Sequence, residues 1–192
     1  MEPDSSVYEN LYSASSYGKY EHGSRRLDQV LAWIKKYVSL RSTVLDYGAG
    51  RCYLTRRLIQ AGYLVAAFEP CAWLWEHDNA DLAEYRIRER PELNPIWQWD
   101  CVVASDVLEH LPDEAAALDL LGKLCEKAKA WVVITVGIAS SNAKANLPGV
   151  DVELHQVIKP AAWWRKHVAR HVDIVAESNV KKSYLVIGRV KA

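Results

Sequence analysis

Residues 44–54 read VLDYGAGRCYL. An apolar run ends in an acid, Asp46, and two glycines follow one residue apart, Gly48 and Gly50. Upstream, STVLDYG has the composition of a buried strand closed by glycine. Downstream, YLTRRLIQAG reads as a helix stopped at Gly62, a residue suited to a helix C-terminus. Strand, glycine loop and helix therefore succeed one another with no residue to spare. In an open α/β sheet, ligands bind beyond the carboxyl ends of the strands. Glycines let a ligand approach the backbone, and the helix start offers free N–H groups and a positive dipole end. The stretch reads as a ligand loop rather than a plain turn.

The flanking sequence repeats the alternation. Leu27, Val30, Leu31, Ile34 and Val38 recur at helical spacing, which predicts an amphipathic helix before the loop. YLVAAFEP is a second apolar strand, ending in Glu69 and Pro70. AWLWEHDNADLAEY reads as a helix, YRIRER as a short edge strand and WDCVVASD as a buried strand. PDEAAALDLLGKLCEKAKA is helical with Asp113 as N-cap, and AWVVITVGI is a strand. PAAWWRKHVARHV opens a helix on proline; DIVAESNV and SYLVIGRV close the chain as strands. Apolar central strands alternating with helices predict a doubly wound, mostly parallel sheet flanked by helices, in one domain over residues 1–192. Two segments stand outside this pattern. Residues 1–22 carry Tyr8, Tyr12, Tyr17 and Tyr20 and are expected to fold over a site as a lid. Residues 138–158 have no clean period and are long for a connection, which marks them as functional.

The composition narrows the function. Lys plus Arg and Asp plus Glu number 24 each, so no net charge draws the whole molecule to nucleic acid or an acidic membrane. No run approaches the roughly 18 apolar residues of a membrane span. The polar, acidic start MEPDSSVYENLY is unlike a secretory signal, so a cytoplasmic location is expected. Cys52, Cys71, Cys101 and Cys125 form no C-x-x-C pair and are expected to be buried thiols; no metal is expected.

Glu69 sharpens the ligand. A carboxylate ending the strand after the loop can accept two hydrogen bonds from a ribose diol. The dinucleotide fingerprint would need glycine where Tyr53 stands, and no G-K-[ST] follows to make a phosphate loop. The pocket suits an adenosine-type ligand without a pyrophosphate.

These residues carry a family resemblance. VLDYGAGRCYLTRRL resembles the first motif of class I S-adenosylmethionine-dependent methyltransferases. VAAFEP resembles their second strand with its ribose-binding acid, and WDCVVASDVLEHLPDEAAAL their fourth strand and following loop. The resemblance runs from about Thr43 to Gly137 and implies a seven-stranded sheet. It also implies S-adenosylmethionine as cofactor, S-adenosylhomocysteine as product and methyl transfer as activity. One departure stands out: the family loop is usually G-x-G-x-G, and Cys52 occupies the third glycine position. By the resemblance, Asp46 organises the loop near the methionine amino group, and Tyr47, Gly48, Ala49 and Gly50 wrap the methionine and ribose. Glu69 holds the ribose hydroxyls, with Pro70 beside the base. Ser105, Asp106 and Val107 line the reactive side, and Tyr17 joins from the lid. The adenine contact is not legible, although Arg88 and Glu89 lie in the right stretch.

Methyl transfer from a sulfonium is an in-line displacement, so alignment and exclusion of water dominate. Where the acceptor must lose a proton, the candidates are Glu109, His110 and His155. Adjacent positions on a helix face different ways, so Glu109 and His110 are not expected to act together, while Asp106 and His110 are spaced to pair. The basic and aromatic WWRKHVARH stretch reads as core plus a solvated helix face before it reads as a nucleic-acid surface. The fourth-strand loop reads SDVL, without the D-P-P-Y type motif of DNA amino-methylating enzymes or a Pro-Cys. A small-molecule acceptor is therefore expected, and neither nucleic acid nor membrane as partner. The competing readings are a catalytically silent, methyltransferase-like binding module and a nucleic-acid or protein methyltransferase.

Overall fold

The computed structural model describes residues 5–13, 25–140 and 153–191. Tyr17, Tyr20 and the centre of the 138–158 segment lie outside the described residues. One seven-stranded sheet organises the chain. Its strands are β1 (Thr43–Tyr47), β2 (Leu64–Phe68), β3 (Arg86–Ile87), β4 (Trp99–Ser105), β5 (Ala128–Gly137), β6 (Val172–Val180) and β7 (Ser183–Val190). Their spatial order is β3-β2-β1-β4-β5-β7-β6. The first five strands pair in parallel; β7 runs antiparallel to both β5 and β6. The expected mostly parallel, doubly wound sheet is what the chain forms.

Period two explains the central strands. Neighbouring strand residues point to opposite faces, and here both faces are covered. Leu45 and Val102 face a core closed by α5 (Glu114–Lys127), through Leu121 and Leu124, and by Trp164 of α6 (Ala161–Val168). Val44 and Val103 face the other way, onto Val30 and Ile34 of α2 (Arg25–Tyr37) and Leu58 of α3 (Tyr53–Gln60). Apolar strands are thus required, and CVVA and the VL of VLDY supply them. Trp164 is fully buried and Arg165 pairs with Glu177, so WWRKHV is a core anchor with a solvated flank.

The helix ends follow their chemistry. Asp113 Oδ1 accepts from Ala116 N at 2.8 Å, the N-cap read from the sequence. Gly62, at φ +90°, ends α3: its N–H donates to Ile59 O and that of Tyr63 to Leu58 O, a double bond pattern that closes the carbonyl end. One element differs from expectation. The predicted helix over Ala72–Tyr85 breaks into α4 (Ala72–His77) and a 3-10 segment, Ala80–Tyr85. The break is at Asn79, which is fully buried and donates from Nδ2 to Gly50 O at 2.8 Å. Arg51 pairs with Asp78 and Arg56 donates to the Asp78 carbonyl, so the glycine loop and α3 draw the chain out of helical register.

Before these elements stands α1 (Ser5–Ser13), whose Leu11 is fully buried. No helix among the described residues is long and apolar enough to cross a membrane.

Candidate functional site

At the carboxyl ends of β1, β2 and β4 lies a cavity of about 650 Å³. Its walls include the whole of residues 46–50, Glu69 and Pro70, and residues 105–107. Except for Tyr17, which lies outside the described residues, every residue the sequence assigned to the cofactor therefore faces one cavity. Three chain-distant segments meet there because β2, β1 and β4 are neighbours in the sheet.

The loop is held by backbone and acid together. Gly48 N and Ala49 N both donate to Phe68 O, at 2.8 and 3.0 Å. Gly48 has φ +72°, and a Cβ there would stand 2.5 Å from Val107 Cγ2. Gly50 also has a positive φ, +53°. Cys52 adopts φ +57°, the conformation for which glycine is favoured, and its side chain is fully buried with Ala67, Trp75 and Leu82. Cysteine therefore preserves the loop path at a conformational cost of about 1–2 kcal/mol. Burial pushes its thiol far above the ordinary range, which makes it inert packing. The other three cysteines are also free and buried.

The two acids differ. Asp46 is buried beneath the loop and accepts from Thr55 Oγ1 at 2.6 Å. Burial raises its carboxyl from 3.8 to about 6, against the lowering effect of the Thr55 bonds. Glu69 is 8% exposed at the cavity wall: Oε2 accepts from Gly50 N at 2.9 Å and Oε1 from Cys71 N at 2.8 Å. Each oxygen keeps a second lone pair for a ligand. Glu69 thus ties the loop to the β2 end as well as facing the cavity. Burial raises its pKa, opposed by those two backbone bonds.

On the β4 side, Asp106 has φ +56° and pairs with Arg26 at 2.8 Å, and Thr135 Oγ1 donates to it at 3.1 Å. The expected pairing of Asp106 with His110 is replaced by these partners. His110 Nδ1 lies 3.0 Å from Leu154 O instead. His110 faces the cavity, and burial lowers its pKa to about 4, helped by His155.

Glu109, His110 and His155 come together, contrary to the helical argument that kept the first two apart. Leu108–His110 form a single 3-10 turn, and the chain returns beside it as Gln156 N and Val157 N donate to Glu109 O at 2.8 and 3.0 Å. One donor atom of each of the three side chains lies within 4.8 Å of the other two. The imidazoles meet edge to face at 4.9 Å. Glu109 is fully buried; Oε1 accepts from Gly137 N at 2.5 Å, and burial holds its pKa well above the usual carboxylate range.

Tyr8 and Tyr12 of α1 complete the cavity wall. The Tyr8 ring stands edge-on to His110 at 6.3 Å, and burial, with Glu69 and Glu109 nearby, pushes its phenol up to about 12. Arg51 Nη2 donates to Tyr12 O at 2.8 Å, which ties α1 to the glycine loop. Sequence reasoning missed Arg26, Cys71 and Arg90, which also face the cavity. Arg90 follows β3 closely, so proximity to a strand end was the available signal, whereas Arg26 sits on α2 and gave none.

Comparison with known proteins agrees with this fold. A family model described as a methyltransferase domain matches residues 20–182. A ubiquinone biosynthesis O-methyltransferase from Xylella fastidiosa is 27% identical over 168 residues, covering 76% of this chain and 68% of that protein. The enzyme of the same description from Paramagnetospirillum magneticum is 27% identical over 113 residues, 50% and 45% of the two chains. Among solved structures, magnesium protoporphyrin IX methyltransferase from Synechocystis, with S-adenosylmethionine bound, has a TM-score of 0.70 at 17% identity, covering 98% of each chain. The 1,6-didemethyltoxoflavin-N1-methyltransferase of Burkholderia thailandensis has a TM-score of 0.73 at 16% identity, covering 97% of this chain and 88% of that one. At such identities these structures speak for the fold. The family match spans most of the sequence, and with it the chain belongs to the class I S-adenosylmethionine-dependent methyltransferases.

Proposed function

We propose that the protein transfers the methyl group of S-adenosylmethionine to a hydroxyl of a small-molecule acceptor. The observation that carries this reading is the pair of buried acids, Asp46 and Glu69, set on either side of one glycine loop in a single cavity. Asp46 would face the methionine ammonium, residues 47–50 would follow the methionine and ribose, and Glu69 would accept from the ribose hydroxyls beside Pro70. Residues 105–107 would border the sulfonium, and the acceptor would enter between them and Tyr8. Bound S-adenosylmethionine would supply the methyl group to the acceptor oxygen and leave as S-adenosylhomocysteine, and the hydroxyl proton would pass to the Glu109–His110–His155 group. His110, with Glu109 and His155 behind it, forms the polar group at the acceptor end.

A small acceptor is supported by the cavity volume and by the two tyrosines with which α1 lines it, and in this reading α1 serves as a lid. The names of the O-methyltransferase relatives support oxygen as the acceptor atom. The burial of Trp164 weighs against α6 as a nucleic-acid surface. Four buried free thiols favour the reducing cytoplasm.

The test is isothermal titration with S-adenosylmethionine, followed by mass spectrometry of a panel of hydroxylated aromatic acceptors incubated with the methyl-deuterated donor. Binding and label transfer are expected. Binding without transfer to any acceptor class would favour a silent binding module, and failure to bind would overturn the cofactor assignment.

A further inference from the structure

Glu109 poses a problem that the methyl-transfer reading leaves unsolved. Its side chain is fully buried, and while Oε1 accepts from Gly137 N, Oε2 has no hydrogen-bond partner. A buried carboxylate is ordinarily paired, protonated or bound to a metal. Two imidazoles stand beside it, and each sets its Nδ1 against a backbone carbonyl. His110 Nδ1 lies 3.0 Å from Leu154 O, and His155 Nδ1 lies 2.7 Å from Ala139 O. A carbonyl only accepts, so each Nδ1 carries the hydrogen, and in the neutral imidazole Nε2 is the nitrogen left with a lone pair. This is the arrangement by which metal-binding histidines are fixed: one nitrogen anchored to a carbonyl, the other presented to the ion.

From this geometry we propose that Glu109, His110 and His155 form a binding site for a divalent transition-metal ion of the zinc or cobalt type. Two neutral imidazoles and one carboxylate are a donor set for such ions, and a three-ligand site leaves a coordination position open. One nitrogen of each imidazole and one carboxylate oxygen lie within 4.8 Å of one another. Ligands at about 2.1 Å from a tetrahedral ion stand roughly 3.4 Å apart, so the side chains close in by about an ångström on binding. The backbone is built for this approach. A Cβ at Gly137 would stand 2.5 Å from His155 Cε1 and 3.1 Å from Glu109 Oε1, so glycine is what lets the two side chains meet. The ion balances the buried carboxylate. It also sets a positive charge behind His110 at the acceptor end, favouring an anionic acceptor oxygen. That last role rests on the proposed methyl transfer; the site itself does not.

The experiment uses the full chain, treated with chelator, dialysed, and titrated with Co2+ and Zn2+ without cofactor. One equivalent of Co2+ with visible d–d bands, displaced by Zn2+, is expected. His155→Ala should weaken binding by about a hundredfold, as loss of a ligand must cost at least as much as loss of its supporting partner. Gly137→Ala should weaken it as well, because the added methyl displaces His155. His167→Ala, on the far helix, should leave it unchanged. Circular dichroism checks that each variant is folded, and Gly137→Ala serves if His155→Ala is not. Absence of the Co2+ spectrum in the parent protein, or the same affinity in His155→Ala or Gly137→Ala, overturns the site. S-adenosylmethionine titration of the same samples keeps the two readings separate: cobalt bound without cofactor binding would leave the metal site standing and remove the methyl-transfer reading.

Discussion

Replacing Asp46 by asparagine should make the ligand-free protein more stable and a poorer binder. The carboxyl is raised from 3.8 to about 6 by burial. A carboxyl raised in the folded state holds its proton more tightly there than in the unfolded chain. Stability is therefore fullest at low pH and falls as pH rises from about 4 through about 6, where the folded form finally ionises. Above that range the ionised Asp46 costs about 3 kcal/mol in the empty protein. Roughly 1.4 kcal/mol of that accrues between pH 5 and pH 7.5. Asp46→Asn keeps an oxygen for Thr55 and removes the charge. Urea unfolding should show the variant gaining on the parent by about 1–1.5 kcal/mol as pH moves from 5 to 7.5. Calorimetry at pH 7.5 should show it losing at least tenfold in S-adenosylmethionine affinity, because the carboxylate would face the methionine ammonium. The parent affinity should also rise with pH over the same interval, as a bound cation draws the proton off; the variant should lose most of that slope. Glu69 is raised too and contributes separately, so the comparison between parent and Asp46→Asn carries the argument. A variant that gains nothing on the parent between the two pH values would refute it.

Other substitutions test other parts of the site. Glu69→Ala removes the acceptor of two buried N–H groups, Gly50 and Cys71, and should cost about 2–4 kcal/mol of ligand-free stability by urea unfolding. It should also lower cofactor affinity at least thirtyfold, about 2 kcal/mol, with Glu69→Gln intermediate in both. Deleting residues 1–13 removes Tyr8 and Tyr12 from the cavity wall and should weaken acceptor or cofactor binding while the far-ultraviolet spectrum of the sheet persists. Hydrogen exchange of α1 should slow on adding cofactor, and no change in either measurement would deny it a lid function. Trp164→Ala should cost about 3–5 kcal/mol of stability as a core cavity, whereas Arg165→Ala should change stability little and leave the protein without affinity for oligonucleotides, as the parent is expected to be.

What the sequence determined by itself was everything that depends on near neighbours. Apolar runs such as CVVA and the VL before Asp46 announce strands buried on both faces, and a glycine pair after Asp46 announces the loop, because backbone freedom and period are written in consecutive residues. Gly62 and Asp113 mark helix ends for the same reason. The tertiary structure decided what those residues do to distant ones. Glu69 was legible as a strand-end acid, but its hold on Gly50 and Cys71 needed β1 and β2 side by side. The break at Asn79 follows from a bond to Gly50, far back in the chain, which no local propensity encodes. Adjacent Glu109 and His110 looked incompatible only under helical geometry. A 3-10 turn and the returning chain at His155, admitted by the missing side chain of Gly137, set all three together. Side-chain convergence of this kind depends on which strands are neighbours and how closely backbones approach, and a linear pattern carries neither distance.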